Sequence, residues 1–256
     1  MAKVLSIDLA YKRVRDFGIC VLESRKGNSL NAVFVPPCEI IHDPPDAGQC
    51  ADAISNFCEK QKIRVVLLDG PQGWKDPESP LPHSRQCERV LFTQGKTGTV
   101  GFAKPAPFTP FAEFSIRLFA ELIRLGGQLV SDAVPKAPKD GLLIVESYPT
   151  SAWRKLGIKP LPGKAAANLI DIRDRLLKLQ ALLRLQVERE PTHDQLQALV
   201  AGIAGIALLA GNPSGCCVQG SRPKEVGGVR LEGFIVNPCI EGLAPFAARK
   251  LPTACF

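Results

Sequence analysis

The sequence is poor in the residues that build metal fingers and stacking platforms. It has three scattered histidines, and its nine cysteines contain no Cys-x-x-Cys pair. No Cys/His cluster with zinc-finger spacing can form, which excludes a structural zinc. The Cys216-Cys217 pair sits in a Gly/Ser/Pro-rich stretch with no histidine beside it. The first ten residues run straight into a strand pattern with no signal peptide, and the cysteine number is odd. Free thiols in a reducing, cytoplasmic setting are therefore expected. Long apolar runs are missing too: LVAGIAGIALLAG falls short of the roughly 20 residues of a membrane span and reads as a buried helix. Two Tyr and two Trp give little support to a platform for single strands. GKTG at 95–98 does not complete a P-loop, because the required earlier glycine falls on Val90. No internal repeat and no clean linker interrupt the chain.

What remains is an ordinary folded composition, 45% hydrophobic and 22% charged over 256 residues. That length supports one sizeable core, and a single domain spanning 1–256 is the economical reading. A net charge of +7 permits a polyanionic partner without establishing one.

The hydrophobic pattern predicts an α/β fold. Residues 3–8, 17–23 and NAVFV (31–35) read as three short strands in an antiparallel meander. An apolar stripe of helical spacing covers 46–61. RVVLLDG then forms a strand with both faces covered, as in the parallel part of a mixed sheet. From 70 to 112 the pattern dissolves into a long loop of the kind that is functional or disordered. A helix is predicted at 115–125, a buried strand at 142–149, and a leucine-rich helix at about 168–189. In the last, Leu169, Ile172, Leu176, Leu179 and Leu183 share a face. Thr192 and Gln195 form a capping box that places Asp194 in the first turn of the next helix. From about 211 the chain reads as an irregular extension with one strand, GFIVNP.

Four acids share a setting. Asp8, Asp69 and Glu146 each stand at or near the end of a predicted buried strand, and Asp194 opens a buried helix. If those three strands are parallel neighbours, the acids emerge together at the carboxyl edge, where open α/β sheets bind ligands. Carboxylates gathered there repel one another unless a positive charge intervenes. One or two Mg²⁺ or Mn²⁺ ions are the simplest occupants, and such ions serve phosphoryl displacement. Each acid alone has a plainer account. Asp194 suits the helix dipole, Asp69 suits the Gly70-Pro71 turn, and Glu146 suits an ion pair.

Together IDLAY, LLDGPQG, RQCER, ESYPTSAW and THDQLQALVAG resemble the domain of unknown function 429 family, over residues 3 to about 238. That family is regarded as predicted nucleases of the ribonuclease H-like superfamily. The resemblance implies a ribonuclease H-like mixed sheet flanked by helices, with Asp8, Asp69, Glu146 and Asp194 as the catalytic cluster. Asp8, Asp69 and Asp194 would hold the metal. The chain departs from the family's R-x-C-D-R pattern at Glu88, which weakens a ligand role for that position.

The resulting expectation is a metal-dependent nuclease acting on RNA, DNA or a branched nucleic acid, with no membrane partner. An ATP-handling phosphotransferase and a non-catalytic nucleic-acid-binding module are the alternatives. Arg13 and Arg15, beside Lys12, are candidates for holding phosphates, as are Arg85 and Arg89 in the long loop and Lys164 after its Pro/Gly turn. A solvated, salt-bridged helix face is the plainer account of Arg85, Glu88 and Arg89. Tyr148 and Trp153 are candidates for base stacking, and His193 for proton transfer or a simple cap position.

Overall fold

A computed structural model describes residues 2–248. The chain begins with β1 (Lys3–Asp8), β2 (Gly18–Arg25) and β3 (Ser29–Phe34), followed by α1 (Ala47–Gln61) and β4 (Val65–Asp69). The segment after β4 carries α2 (Gln86–Leu91), the two-residue strands β5 (Lys96–Thr97) and β6 (Ala103–Lys104), and α3 (Thr109–Arg124). Then come β7 (Gln128–Leu129), β8 (Leu143–Ser147), α4 (Pro149–Lys155), α5 (Leu169–Leu182) and β9 (Leu185–Val187). The chain closes with α6 (His193–Leu209), β10 (Cys216–Val226) and β11 (Val229–Pro238).

One mixed sheet organises these elements, in the order β10-β11-β8-β4-β1-β2-β3-β9 with β7 beside β8. β1, β4 and β8 are parallel neighbours, while β2 runs antiparallel between β1 and β3. This is the expected mixed sheet, an antiparallel meander continued by parallel strands. Alternation along the central strands sends Val4, Leu67 and Val145 to a core built with α4, α5 and α6. Leu5, Ile7, Val66, Leu68 and Ile144 go to the opposite core, under α1 and α3. Both faces of the central strands are therefore dry, which is why they read as continuous apolar runs.

Three expectations need correction. The leucine-rich helix stops at Leu182, and the chain turns extended at Leu183 so that β9 can pair with the outer strand β3. Ile172, Leu176, Leu179 and Leu183 are buried, but Leu169 is 63% exposed at the helix start, off the buried face. Covering an otherwise open sheet edge overrides the helical spacing that continues past 182. Residues 216–238, expected as turns and one strand, form a long hairpin instead. β10 lacks an alternating pattern because it is an edge strand, and a register shift between Ser221 and Lys224 absorbs Pro223. The segment 70–112 carries regular structure as well, and α3 begins inside it at Thr109 rather than at Ser115. The end of the C-terminal extension, 249–256, lies outside the described residues.

Among the described residues, no helix is long and apolar enough to cross a membrane, and the cysteines are free thiols.

Candidate functional site

The parallel register delivers acids to one edge. Asp8 pairs with Asp69, and Asp69 with Ser147, so these three form a row across β1, β4 and β8. Glu146 stands one row back, opposite Leu68. α6 brings Asp194 to the same place. Its start is fixed by the predicted capping box, in which Gln195 N donates to Thr192 Oγ1 at 3.3 Å and Thr192 N donates to the Gln195 side chain at 3.1 Å. Gly18, the partner of Asp8 across β1 and β2, lies directly under this turn. A Cβ at residue 18 would come within 2.0 Å of the Asp194 carbonyl oxygen, so glycine is what permits the approach.

All four acids line one cavity of about 740 Å³. Burial, then the charges of Asp69 and Asp194, hold the Asp8 carboxyl well above the usual carboxylate range. Burial pushes Asp69 up to about 7, with a hydrogen bond from Asp8 pulling the other way and the charge of Glu146 adding to the rise. Both carboxyls are therefore harder to ionise than exposed aspartates. Ser147 completes the row with a buried hydroxyl that has no hydrogen-bond partner.

The other two acids have partners. Asp194 accepts from Lys164 Nζ at 2.5 Å, and its other oxygen lies 2.9 Å from His193 Nδ1. Lys164 also donates to Asp16 at 3.0 Å. Burial works against the Lys164 charge, yet the bonds to Asp194 and Asp16 hold its ammonium above the usual lysine value. His193 is not a free cap: Nε2 lies 2.9 Å from the Pro162 carbonyl oxygen, so both ring nitrogens are engaged.

Glu146 is buried in a clamp. Arg85 donates to it from Nη1 at 2.8 Å and Nη2 at 2.6 Å, and the backbone N–H of Gln72 adds a third bond at 3.0 Å. The remaining Arg85 nitrogen donates to Glu88 at 3.0 Å and Thr97 at 2.8 Å. Glu88 further accepts from the Thr97 hydroxyl at 2.6 Å and from two backbone N–H groups. Arg85, Glu88 and Arg89 therefore do not form one solvated face: Arg85 is 1% exposed and Glu88 2%. Arg85, a phosphate candidate by sequence, has every guanidinium nitrogen committed to protein groups, and Glu88 is saturated within the clamp.

The remaining candidates separate. Arg13 is exposed, lines the cavity and donates to Asp16 at 2.7 Å. Arg15 is exposed on a neighbouring groove, and Arg89 lies on another, beside Asp76 and Glu232. Trp153 is fully buried and donates to Gln197, which excludes stacking, whereas Tyr148 lines the cavity. Tyr11, Phe108 and Phe111 also line it, and nothing in their local sequence marks them, because two come from the segment without periodicity.

The donors of the row are all oxygen, which suits a hard divalent cation. Among the described residues, no group of three or more His, Cys, Asp or Glu stands ready to hold an ion. With Glu146 on Arg85 and Asp194 on Lys164, the acids without an ion-pair partner are Asp8 and Asp69.

No family model matches this chain, and no curated protein matches it. Similar solved structures include the yeast mitochondrial Holliday junction resolvase Ydc2, at 13% identity and a TM-score of 0.41, with 83% of this chain and 78% of that one covered. Thermus thermophilus RuvC is similar in two structures. One gives 10% identity and a TM-score of 0.37; the other, in complex with Holliday junction substrate, gives 9% and 0.35. Each covers 78% of this chain and 90% of that one.

Proposed function

We propose that this chain is a divalent-metal-dependent nuclease, hydrolysing phosphodiester bonds at the carboxyl edge of its sheet. One observation carries the reading. Asp8 and Asp69 face each other in register at the ends of adjacent parallel strands, both desolvated and with the charge of Asp69 raising Asp8, without an ion-pair partner among the described residues. Two such carboxylates cost stability above neutral pH unless a cation joins them. The unpaired hydroxyl of Ser147 in the same row is a further oxygen lacking a partner. The motif resemblance to the domain of unknown function 429 family points the same way.

Mg²⁺ or Mn²⁺ fits this donor set, with Asp8 and Asp69 as its holders and Asp194 joining when Lys164 releases it. A bound ion would generate a hydroxide-like nucleophile at neutral pH and offset charge on the phosphate oxygens. The protein's own groups position the substrate. Lys164 and Arg13 are the cations beside the acids that can turn from Asp16 to a phosphate. Glu146 is a positioning residue: through Gln72 and Arg85 it fixes the segment that closes one side of the cavity.

The test is hydrolysis of labelled RNA, single-stranded DNA, duplex and branched DNA with Mg²⁺ or Mn²⁺, by wild type and Asp8→Asn. Cleavage by the wild type that Asp8→Asn abolishes is expected. No cleavage of any substrate, or cleavage indifferent to Asp8, sinks the proposal.

A further inference from the structure

Only part of the cavity is acidic. Besides the row of Asp8, Asp69 and Ser147, the cavity is lined by three half-buried aromatic rings, inclined to one another by 63° and 41°. Tyr11 meets Phe111 edge-on, with ring centroids 6.3 Å apart, and Phe111 meets Phe108 at 5.3 Å. Tyr148 lines the cavity from the strand-end side, where it packs with Leu91 and Ile235. A Cβ at Gly95 would come within 2.5–2.7 Å of the Phe108 ring, so the loop before β5 lies directly on that ring and supports it. Lys12 Nζ lies over one face of the Tyr11 ring, 5.3 Å from its centroid, which leaves the other face for a ligand, and Arg13 lines the same cavity.

Phe111 packs on the core under α1 and α3 and Phe108 on the small cluster around Trp74 and Ala112, and both rings also line the polar, charged recess. They suit a flat, polar-edged ring carrying a phosphate. The volume of about 740 Å³ falls within the range of sites that enclose a small ligand. We infer that the cavity takes an unpaired nucleotide, its base stacked on the Tyr11 ring, with Phe111 edge-on beside it, and its phosphate directed toward Asp8 and Asp69. This rests on the reading of the acidic edge as a phosphodiesterase site. It narrows the substrate to nucleic acid with an unpaired position, such as a single strand, a chain end or a junction, because a base inside an intact duplex has both faces already stacked.

The experiment is binding by fluorescence anisotropy with Ca²⁺ in place of Mg²⁺ or Mn²⁺, so that a cation shields the acids while turnover is suppressed. The probes are a short labelled single-stranded oligonucleotide, the same sequence as blunt duplex, and the same strand with its bases removed. The base-bearing strand is expected to bind roughly 10-fold or more tighter than either of the others. Tyr11→Ala lowers that preference several-fold and Tyr11→Phe keeps it, since only the ring face matters. Equal affinity for the three probes overturns the inference, and so does a preference indifferent to Tyr11→Ala. A single-strand preference in a protein that cleaves nothing supports the pocket and removes the nuclease. Cleavage with equal affinities does the reverse.

Discussion

Two pairs of acids lie within one cavity, and the protein treats them oppositely. Glu146 and Glu88 converge on a single buried guanidinium, and their oxygens are filled by Arg85, Thr97 and backbone N–H groups. Asp8 and Asp69 stand side by side with no ion-pair partner among the described residues; burial raises both, the charges of Asp69 and Asp194 add to Asp8, and the charge of Glu146 adds to Asp69. Side-chain chemistry is nearly the same in the two pairs. Only the partners differ, and they separate a structural pair from the pair to which the proposed function assigns a cation.

The largest expected effect comes from breaking the satisfied pair. Arg85→Met leaves two buried carboxylates without their cation, for a loss of about 3–5 kcal/mol in urea-denaturation stability. Arg85→Lys recovers little of it, because an ammonium cannot reproduce the two-pronged bond to Glu146. A loss under about 1 kcal/mol would mean that the clamp is solvated and the contrast false.

Relieving the unsatisfied pair acts in the other direction. Asp69→Asn should abolish cleavage and add about 1–3 kcal/mol to stability at pH 8. The folded-state value near 7 lies above the ordinary 3.8, so the folded protein binds the extra proton. Stability of the wild type therefore declines as pH rises between about 4 and 7, and the advantage of asparagine grows over that window. Toward pH 4 the advantage disappears. Melting curves of both proteins across pH give the sign directly, and a variant less stable at pH 8 contradicts the assignment.

A cation should offset the same repulsion. At pH 8, saturating Mn²⁺ is expected to stabilise the wild type by about 1–3 kcal/mol, a rise of several degrees in Tm. The rise should shrink at pH 6, where protons compete, and vanish in Asp8→Asn. An equal rise in both proteins places the ion elsewhere.

The smallest effect concerns Lys164, which is half-exposed and ties Asp194 to Asp16. Lys164→Ala should cost under about 1 kcal/mol. By freeing Asp194 it should tighten Mn²⁺ binding measured by calorimetry. Weaker binding would show that the lysine orients Asp194 for the ion rather than competing with it.

The contrast between the pairs was only half legible in the sequence. KVLSID, RVVLLD and LLIVES each announce an apolar strand ending in or near an acid, and the Thr192/Gln195 pair announces the helix that carries Asp194. Local pattern suffices there because both faces of the central strands are buried and the helix cap lies within one turn. Arg85 and Glu146 are 61 residues apart, and nothing near either one reports the other. RQCER therefore reads as an exposed helical turn, although tertiary contact buries it. The aromatic lining was illegible for a similar reason, since Phe108 and Phe111 belong to a segment without periodicity. β9 and β10 were missed because edge strands take their form from the neighbour they cover.

Gly18 bears on how adjustable the acidic edge is. Where two elements meet through side chains, their spacing can drift by trading one residue for a slightly larger one. Here the first turn of α6 rests on bare backbone, and the next available size, a single methyl group, already overlaps it. The gap between Asp8 and Asp194 thus has no intermediate settings. An alanine at 18 would act as a wedge, lifting Asp194 away without removing any carboxylate.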